Sequence, residues 1–207
     1  MSHSGLARAT RETQPANGVE VSIMAELSLS PFLTGLPAAS GKLPPVEDWH
    51  PAHCGEIDIR IAADGTWFHE GSPIGRKELV RLFSTLLRKD SDGFHLVTPA
   101  EKMRIAVEDA PFMAVLLKAV GEGKDQHLVF TTNVGDETVA GSENPIRVET
   151  DPVTHEPAPY VHVRRGLEAK ISRAVFYQLA DLGVPSAADR HVLGVWSGGV
   201  FFPLGRV

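Results

Sequence analysis

The residues best equipped for chemistry sit close together as His50, His53 and Cys54. Two imidazoles and a thiolate suit zinc, which takes nitrogen and sulfur ligands in a tetrahedron. Glu56 or His69 would complete the set. Against this, His53 and Cys54 are adjacent, and neighbouring side chains of an extended segment point to opposite faces. No second Cys/His pair follows, so the alternative is a half-buried cysteine beside surface histidines. As a nucleophile, Cys54 would need His50 or His53 as the base that makes its thiolate.

Two further groups carry charge. Glu101, Glu108 and Asp109 gather around one strand pair and offer oxygen ligands to a divalent cation. The alternative is a solvated hairpin turn and a polar cap before Pro111. Arg164-Arg165-Gly166 precedes a helical pattern, and two guanidinium groups beside exposed helix N–H groups make an anion pocket. Arg76 begins the first helix and joins that pocket if the two halves of the chain pack together. Ion pairing of the arginines with Glu168 or other surface acids is the alternative. Trp67 and Tyr160 are either core or the walls of a shared cleft. Gly121-Glu122-Gly123-Lys124 is too short for a P-loop, and no Ser or Thr follows Lys124. Ser197-Gly198-Gly199 is not a serine-hydrolase elbow. The ligand-binding candidates are therefore Trp67, Arg76, Tyr160, Arg164 and Arg165, and the metal candidates His50, His53 and Cys54. No catalytic set and no cofactor emerge.

The elements that must position these residues follow from periodicity. Residues 1–45 are rich in Ser, Ala, Gly, Thr and Pro without sustained period, which predicts a mostly disordered tail, with a short helix near 22–29 and Met24 as an alternative start. Ile57, Ile59 and Ile61 alternate with Asp58 and Arg60, the period of a strand with one buried face. Asp64-Gly65 turns the chain back through Thr66–His69. Leu79, Leu82, Phe83, Leu86 and Leu87 predict a helix over Arg76–Arg88. Strands follow over Phe94–Val97, Met103–Val107, Phe112–Val120 and Leu128–Thr132. Leu167, Ile171, Val175, Leu179 and Leu182 predict a second helix over Leu167–Leu182, ended by Gly183 and Pro185. Val192–Val195 and Val200–Leu204 close as a hairpin.

A shift of 93 residues lays Thr66–Leu87 over Pro159–Ala180, with Trp67 on Tyr160 and His69 on His162. The strand at Ile146–Val148 precedes the second copy as Ile57–Ile61 precedes the first. The expected fold is α+β: two β-β-α-β-β units, mostly antiparallel, each with one packed helix, as duplication would leave. The expected domains are the tail 1–45 and units 46–111 and 112–207.

Composition bounds the function. The 207 residues are 43% apolar, enough for a core without metal or disulfide staples, and the single cysteine excludes an intrachain disulfide. A net charge of −6 argues against a broad nucleic-acid surface and a polybasic membrane anchor. The longest apolar stretch, Phe112–Val120, contains Lys118 and is too short to cross a bilayer. Leu27–Leu36 is too polar for a secretory leader, which leaves the cytoplasm as the default location.

The motif series resembles a family. Cys54-Gly55-Glu56-Ile57-Asp58-Ile59, Asp64-Gly65-Thr66-Trp67, Gly71-Ser72-Pro73-Ile74 and Leu79–Ser84 are similar to the bacterial DUF1285 family. So are Leu96–Lys102, Val107–Phe112, Thr132–Asp136, Pro159-Tyr160 and Arg165–Ala169. The resemblance spans about residues 45–207. It implies a two-domain α+β fold with repeated motifs and a suggested role in regulation or signal transduction, and it transfers no catalytic residue. The expected function is a non-enzymatic regulatory or ligand-sensing module, its partner a small anionic ligand or a protein. The alternatives are a metal-dependent or hydrolase-like enzyme and a protein-interaction scaffold.

Overall fold

Ile59 and Ile61 are buried while Asp58 and Glu56 face solvent, so the alternation read from the sequence is the inner and outer face of a strand. The computed structural model describes residues 43–151 and 156–206. The expectations for the tail therefore lie outside the described residues, apart from 43–45.

The first unit runs β1 (His53–Ile61), β2 (Trp67–His69), β3 (Ser72–Pro73), α1 (Lys77–Thr85), β4 (Leu87–Asp90), β5 (Gly93–Val97) and β6 (Glu101–Val107). They form one six-stranded sheet, ordered β3-β2-β1-β6-β5-β4. Two antiparallel meanders join through a parallel β1–β6 pair at the centre.

The second unit runs β7 (Phe112–Val120), β8 (His127–Thr132), β9 (Glu137–Val139), β10 (Ile146–Thr150), β11 (Pro157–Arg164), β12 (Leu167–Ile171), α2 (Arg173–Asp181), β13 (Val184–Pro185), β14 (Val192–Ser197) and β15 (Val200–Arg206). Strands β10-β11-β12-β7-β8-β9 make a second six-stranded sheet, again with one parallel pair, β12–β7, at its centre. Strands β13-β14-β15 make a separate three-stranded sheet. Buried side chains from both units form one continuous core, from Ile59 and Phe83 to Val175 and Leu204.

The mixed α/β character and the two-unit organisation are as expected, but two helix boundaries are not. Leu167–Ile171 is a strand, with Leu167, Ala169 and Ile171 buried and Glu168 and Lys170 half-buried. The second helix begins only at Arg173, where the Ser172 hydroxyl accepts a hydrogen bond from the Val175 N–H. The first helix ends at Thr85, and Leu87 already belongs to β4.

The repeated unit is consequently longer than expected. The order β-β-β-α-β-β-β occurs as β1–β6 with α1 and again as β10–β15 with α2, and β7–β9 precede the second occurrence. The offset also drifts. Trp67 and Tyr160 stand 93 apart, whereas the buried helix pairs Leu79/Phe83 and Val175/Leu179 stand 96 apart. Between them lie matching two-residue hairpins, Glu70-Gly71 and Arg165-Gly166. Both residues of each have positive φ (49° and 75°; 50° and 73°). That is the type I′ geometry that fits strand twist. Glu70 and Arg165 are the only non-glycine residues with positive φ among those described.

One buried hydroxyl fastens the three-stranded sheet to its neighbour. Ser197 is fully buried; its Oγ donates to the Ala140 carbonyl at 2.7 Å and accepts from the Leu128 N–H at 2.9 Å. Ser197→Ala leaves both main-chain groups without that partner. A loss of about 2 kcal/mol in urea unfolding is expected, and an unchanged midpoint would show that water or a shifted backbone takes over.

Candidate functional site

Three cavities shape the described surface. The first, about 620 Å³, opens where β1 and β6 part. The second, about 580 Å³, lies between β10, α2 and the β14–β15 hairpin, with Val148, Phe176, Leu193 and Leu204 as its apolar lining and Arg206 at its rim. A third, about 380 Å³, adjoins it, sharing Pro157 and Phe176 and edged by Lys170, Arg173 and Tyr177 as well as Asp151 and Glu156. The last two form a cleft with an apolar floor and a charged margin. Topology opens it. The strands corresponding to β10 and β15 in the first unit, β1 and β6, are hydrogen-bonded, whereas β10 and β15 lie alongside each other as edges of different sheets.

The ligand candidates read from the sequence line none of these cavities. Trp67 is 2% exposed and stacks on Phe83, with ring centroids 6.3 Å apart. Arg76 is exposed at the cap position of α1. Arg164 is almost buried. Its guanidinium pairs with Asp136, donates to the Ser84 carbonyl at 2.9 Å and lies 4.8 Å over the Phe112 ring. It therefore ties the second unit to the end of α1. Arg165 occupies the β11–β12 turn, and its Nη1 is buried without a hydrogen-bond partner among the described residues.

Tyr160 is the hub of a polar ladder across β10, β11 and β12. Its hydroxyl donates to Asp109 at 2.8 Å, Lys170 reaches the other Asp109 oxygen at 2.5 Å, and the Arg147 guanidinium stacks 4.2 Å above its ring. Arg147 also grips both Glu168 oxygens, at 2.6 and 2.7 Å. Burial, then the bond to Asp109, pushes the Tyr160 hydroxyl up to about 12, so it stays protonated near neutrality. The Arg147 hydrogen bonds hold Glu168 below its ordinary value. This ladder is a support for the sheet.

The metal candidates do not converge. His50, His53 and Cys54 are all exposed; His50 faces the Asp48 carbonyl and the Cys54 thiol the Pro51 carbonyl. Glu108 instead pairs with Arg60 and accepts from the Ala63 N–H. Among the described residues, one group of three metal-capable side chains lies within ligand distance: Asp90, Asp92 and His95 at the β4–β5 turn. Its chemistry favours an internal ion-pair network. Arg88 holds both Asp90 oxygens, at 2.8 and 3.0 Å, and Lys102 adds an ammonium at 2.6 Å. Burial, then the Lys102 charge, holds the His95 imidazole below its ordinary value. Two cations already neutralise the two carboxylates, so a divalent ion would have to displace Lys102 and compete with Arg88.

A two-unit, mostly β protein with a cleft between two sheets and an almost buried arginine at the unit junction is the class this geometry defines. The family model for the N-terminal domain of DUF1285, a domain of unknown function, matches residues 44–110. The model for the C-terminal domain of DUF1285, described as a protein of unknown function, matches residues 111–204. The chain belongs to the DUF1285 family, as the motif series indicated. It is similar to the crystal structure of a DUF1285 family protein from Silicibacter pomeroyi DSS-3, at 55% identity over 81% of this chain and 90% of that one, with a TM-score of 0.76. A DUF1285 family protein from Shewanella baltica OS155 matches at 27% identity over 59% of this chain and 90% of that one, with a TM-score of 0.48. No curated protein matches. Among the described residues no helix is long and apolar enough to cross a membrane.

No sequence motif joins the cleft residues, because they come from β10, β11, α2, β14 and β15. In the sequence Phe176 reads like its neighbour Val175; the fold leaves Phe176 half-buried while Val175 and Leu179 fill the core.

Proposed function

We propose that this protein is a non-enzymatic, cytoplasmic ligand-sensing module of regulatory or signalling role, and that the cleft between β10, α2 and β14–β15 receives a small molecule with an apolar body and an anionic head. The observation carrying this reading is the 580 Å³ cavity floored by Phe176, with Arg206 at its rim. Ligand pockets are typically several hundred Å³, apolar, with a few polar groups that orient the occupant. Arg206 pairs with Asp189 at 3.1 Å, and at 71% exposure that pair is weak enough to exchange for a ligand anion. The recurrence of β-β-β-α-β-β-β supports duplication, which would have given each unit a strand junction free to diverge.

The test is thermal melting of the full chain with medium-chain carboxylates and, as controls, alcohols of the same length. A carboxylate at one hundred times its dissociation constant stabilises the folded state by about 2.7 kcal/mol, and the alcohols are expected to do less. Ala180 lines the cleft from α2, so Ala180→Phe fills it and is expected to abolish the shift while the variant still melts cooperatively. Absence of a shift with any probe, or a shift that survives Ala180→Phe, refutes the assignment.

A further inference from the structure

The cavity of the first unit occupies the place that corresponds to the cleft of the second. It is lined by Gly93-Phe94 of β5 and Arg104–Val107 of β6; the cleft is lined by Val192-Leu193 of β14 and Pro203–Arg206 of β15. Both pairs of segments stand 99 residues apart. β1 lines the first and β10 the second; the second is walled as well by Pro157 of β11 and by Phe176 and Ala180 of α2, whereas no residue of α1 lines the first.

In the first unit the strands are parted by a bulge rather than by separation into two sheets. Glu56 pairs with Arg104 and Arg60 with Ala106, so Ile57, Asp58 and Ile59 together face Ile105. Such bulges re-aim side chains and interrupt pairing. The chemistry of the opening differs from that of the cleft. Glu56, Asp58 and Arg104 all line it and all are exposed, with Ile57 and Phe94 half-buried beside them. Glu56 and Arg104 are register partners, yet no ion pair forms between them within 4 Å. Gly93 holds a φ of 131°, a backbone conformation that side-chain-bearing residues rarely adopt.

We propose that this cavity is a second ligand site, for a small zwitterion of the free amino-acid class. Arg104 takes the carboxylate, for which a guanidinium fork is the matching donor. Glu56 and Asp58, which share the solvent-facing side of β1, take the ammonium. Both signs of charge lie within this lining, whereas the 580 Å³ cavity of the second unit has Arg206 as its one charged lining residue.

The experiment is isothermal titration of the full chain with each standard amino acid, alongside N-acetylated and decarboxylated forms of any that bind. The expected result is saturable binding of at least one amino acid. Acetylation or decarboxylation should weaken it tenfold or more. Arg104→Met and Glu56→Gln/Asp58→Asn should each do the same, and these exposed positions leave the melting temperature in place. Ala180→Phe, which fills the other cleft, should leave this binding intact, so the two assignments stand or fall separately. No saturation by any amino acid overturns the proposal. Equal binding of decarboxylated amines overturns it in favour of a simple cation site, and binding insensitive to Arg104→Met overturns its location.

Discussion

Arg164→Met is expected to lower the unfolding free energy by about 3–5 kcal/mol, the range for breaking a buried pair by removing one partner. The Arg164 side chain is 11% exposed, and its guanidinium carries three obligations: the Asp136 carboxylate, the Ser84 carbonyl and the face of Phe112. A methionine replaces part of the packing on Phe112 but none of the hydrogen bonds. Asp136, 24% exposed, then keeps a charge whose partner is gone. Removing that charge as well should recover part of the loss, so Arg164→Met/Asp136→Asn is expected to be more stable than Arg164→Met alone. Urea denaturation of the two single variants and the double variant measures the coupling. A loss below about 1 kcal/mol for Arg164→Met would mean that the junction holds without this residue.

Arg88→Leu is expected to cost about 3 kcal/mol and to blunt the acid sensitivity of the fold. Arg88 is 8% exposed and closes two structures at once. It clasps Asp90, and its Nη1 donates to the Val46 and Trp49 carbonyls, both at 2.9 Å, which anchors the entrance to the folded chain against β4. Burial pulls the Asp90 carboxyl upward, but hydrogen bonds from Arg88 and Lys102 outweigh it and hold the group at about 2. That lies below the ordinary 3.8, so the folded state binds this proton more weakly than the unfolded state. The stabilisation, about 2 kcal/mol, is in force above roughly pH 4 and is lost as pH falls through about 2. In Arg88→Leu the Asp90 value should move back up, and stability should fall less steeply between those limits. An acid limb equally steep in the variant would assign that sensitivity to other carboxylates.

What the sequence made legible was local. The Ile57/Ile59/Ile61 alternation and the Asp64-Gly65 turn are written in adjacent residues, and β1, its turn and β2 appear where expected. Leu167–Ile171 shows why the reading failed elsewhere. Leu167, Ile171, Val175 and Leu179 are four apart, which fits a helix, but Leu167, Ala169 and Ile171 also fit a strand, which is what forms. Ser172 carries the deciding signal, since an N-cap serine marks a helix start rather than its interior. The parallel pairs β1–β6 and β7–β12 join segments about 50 residues apart, and no local pattern encodes them. The same applies to the functional reading. The charge of Arg164 and Arg165 suggests an anion pocket, yet in the fold Arg164 is engaged by Asp136 and Ser84.

The first sheet has a consequence for how the chain is made. All six of its strands lie between His53 and Val107, and none is borrowed from the remaining half. A nascent chain leaving the ribosome can close this sheet while the residues of β8 to β15 are still being added, in keeping with domains that fold as units from the N-terminus. The second sheet has no such option, because β7 must wait for β12 before its parallel pair exists. Asn133, which bonds the Gly65 carbonyl at 3.1 Å, and then Arg164, reaching Ser84, arrive at a surface already in place. Vectorial synthesis thus gives the earlier half the part of a template and the later half the part of its client.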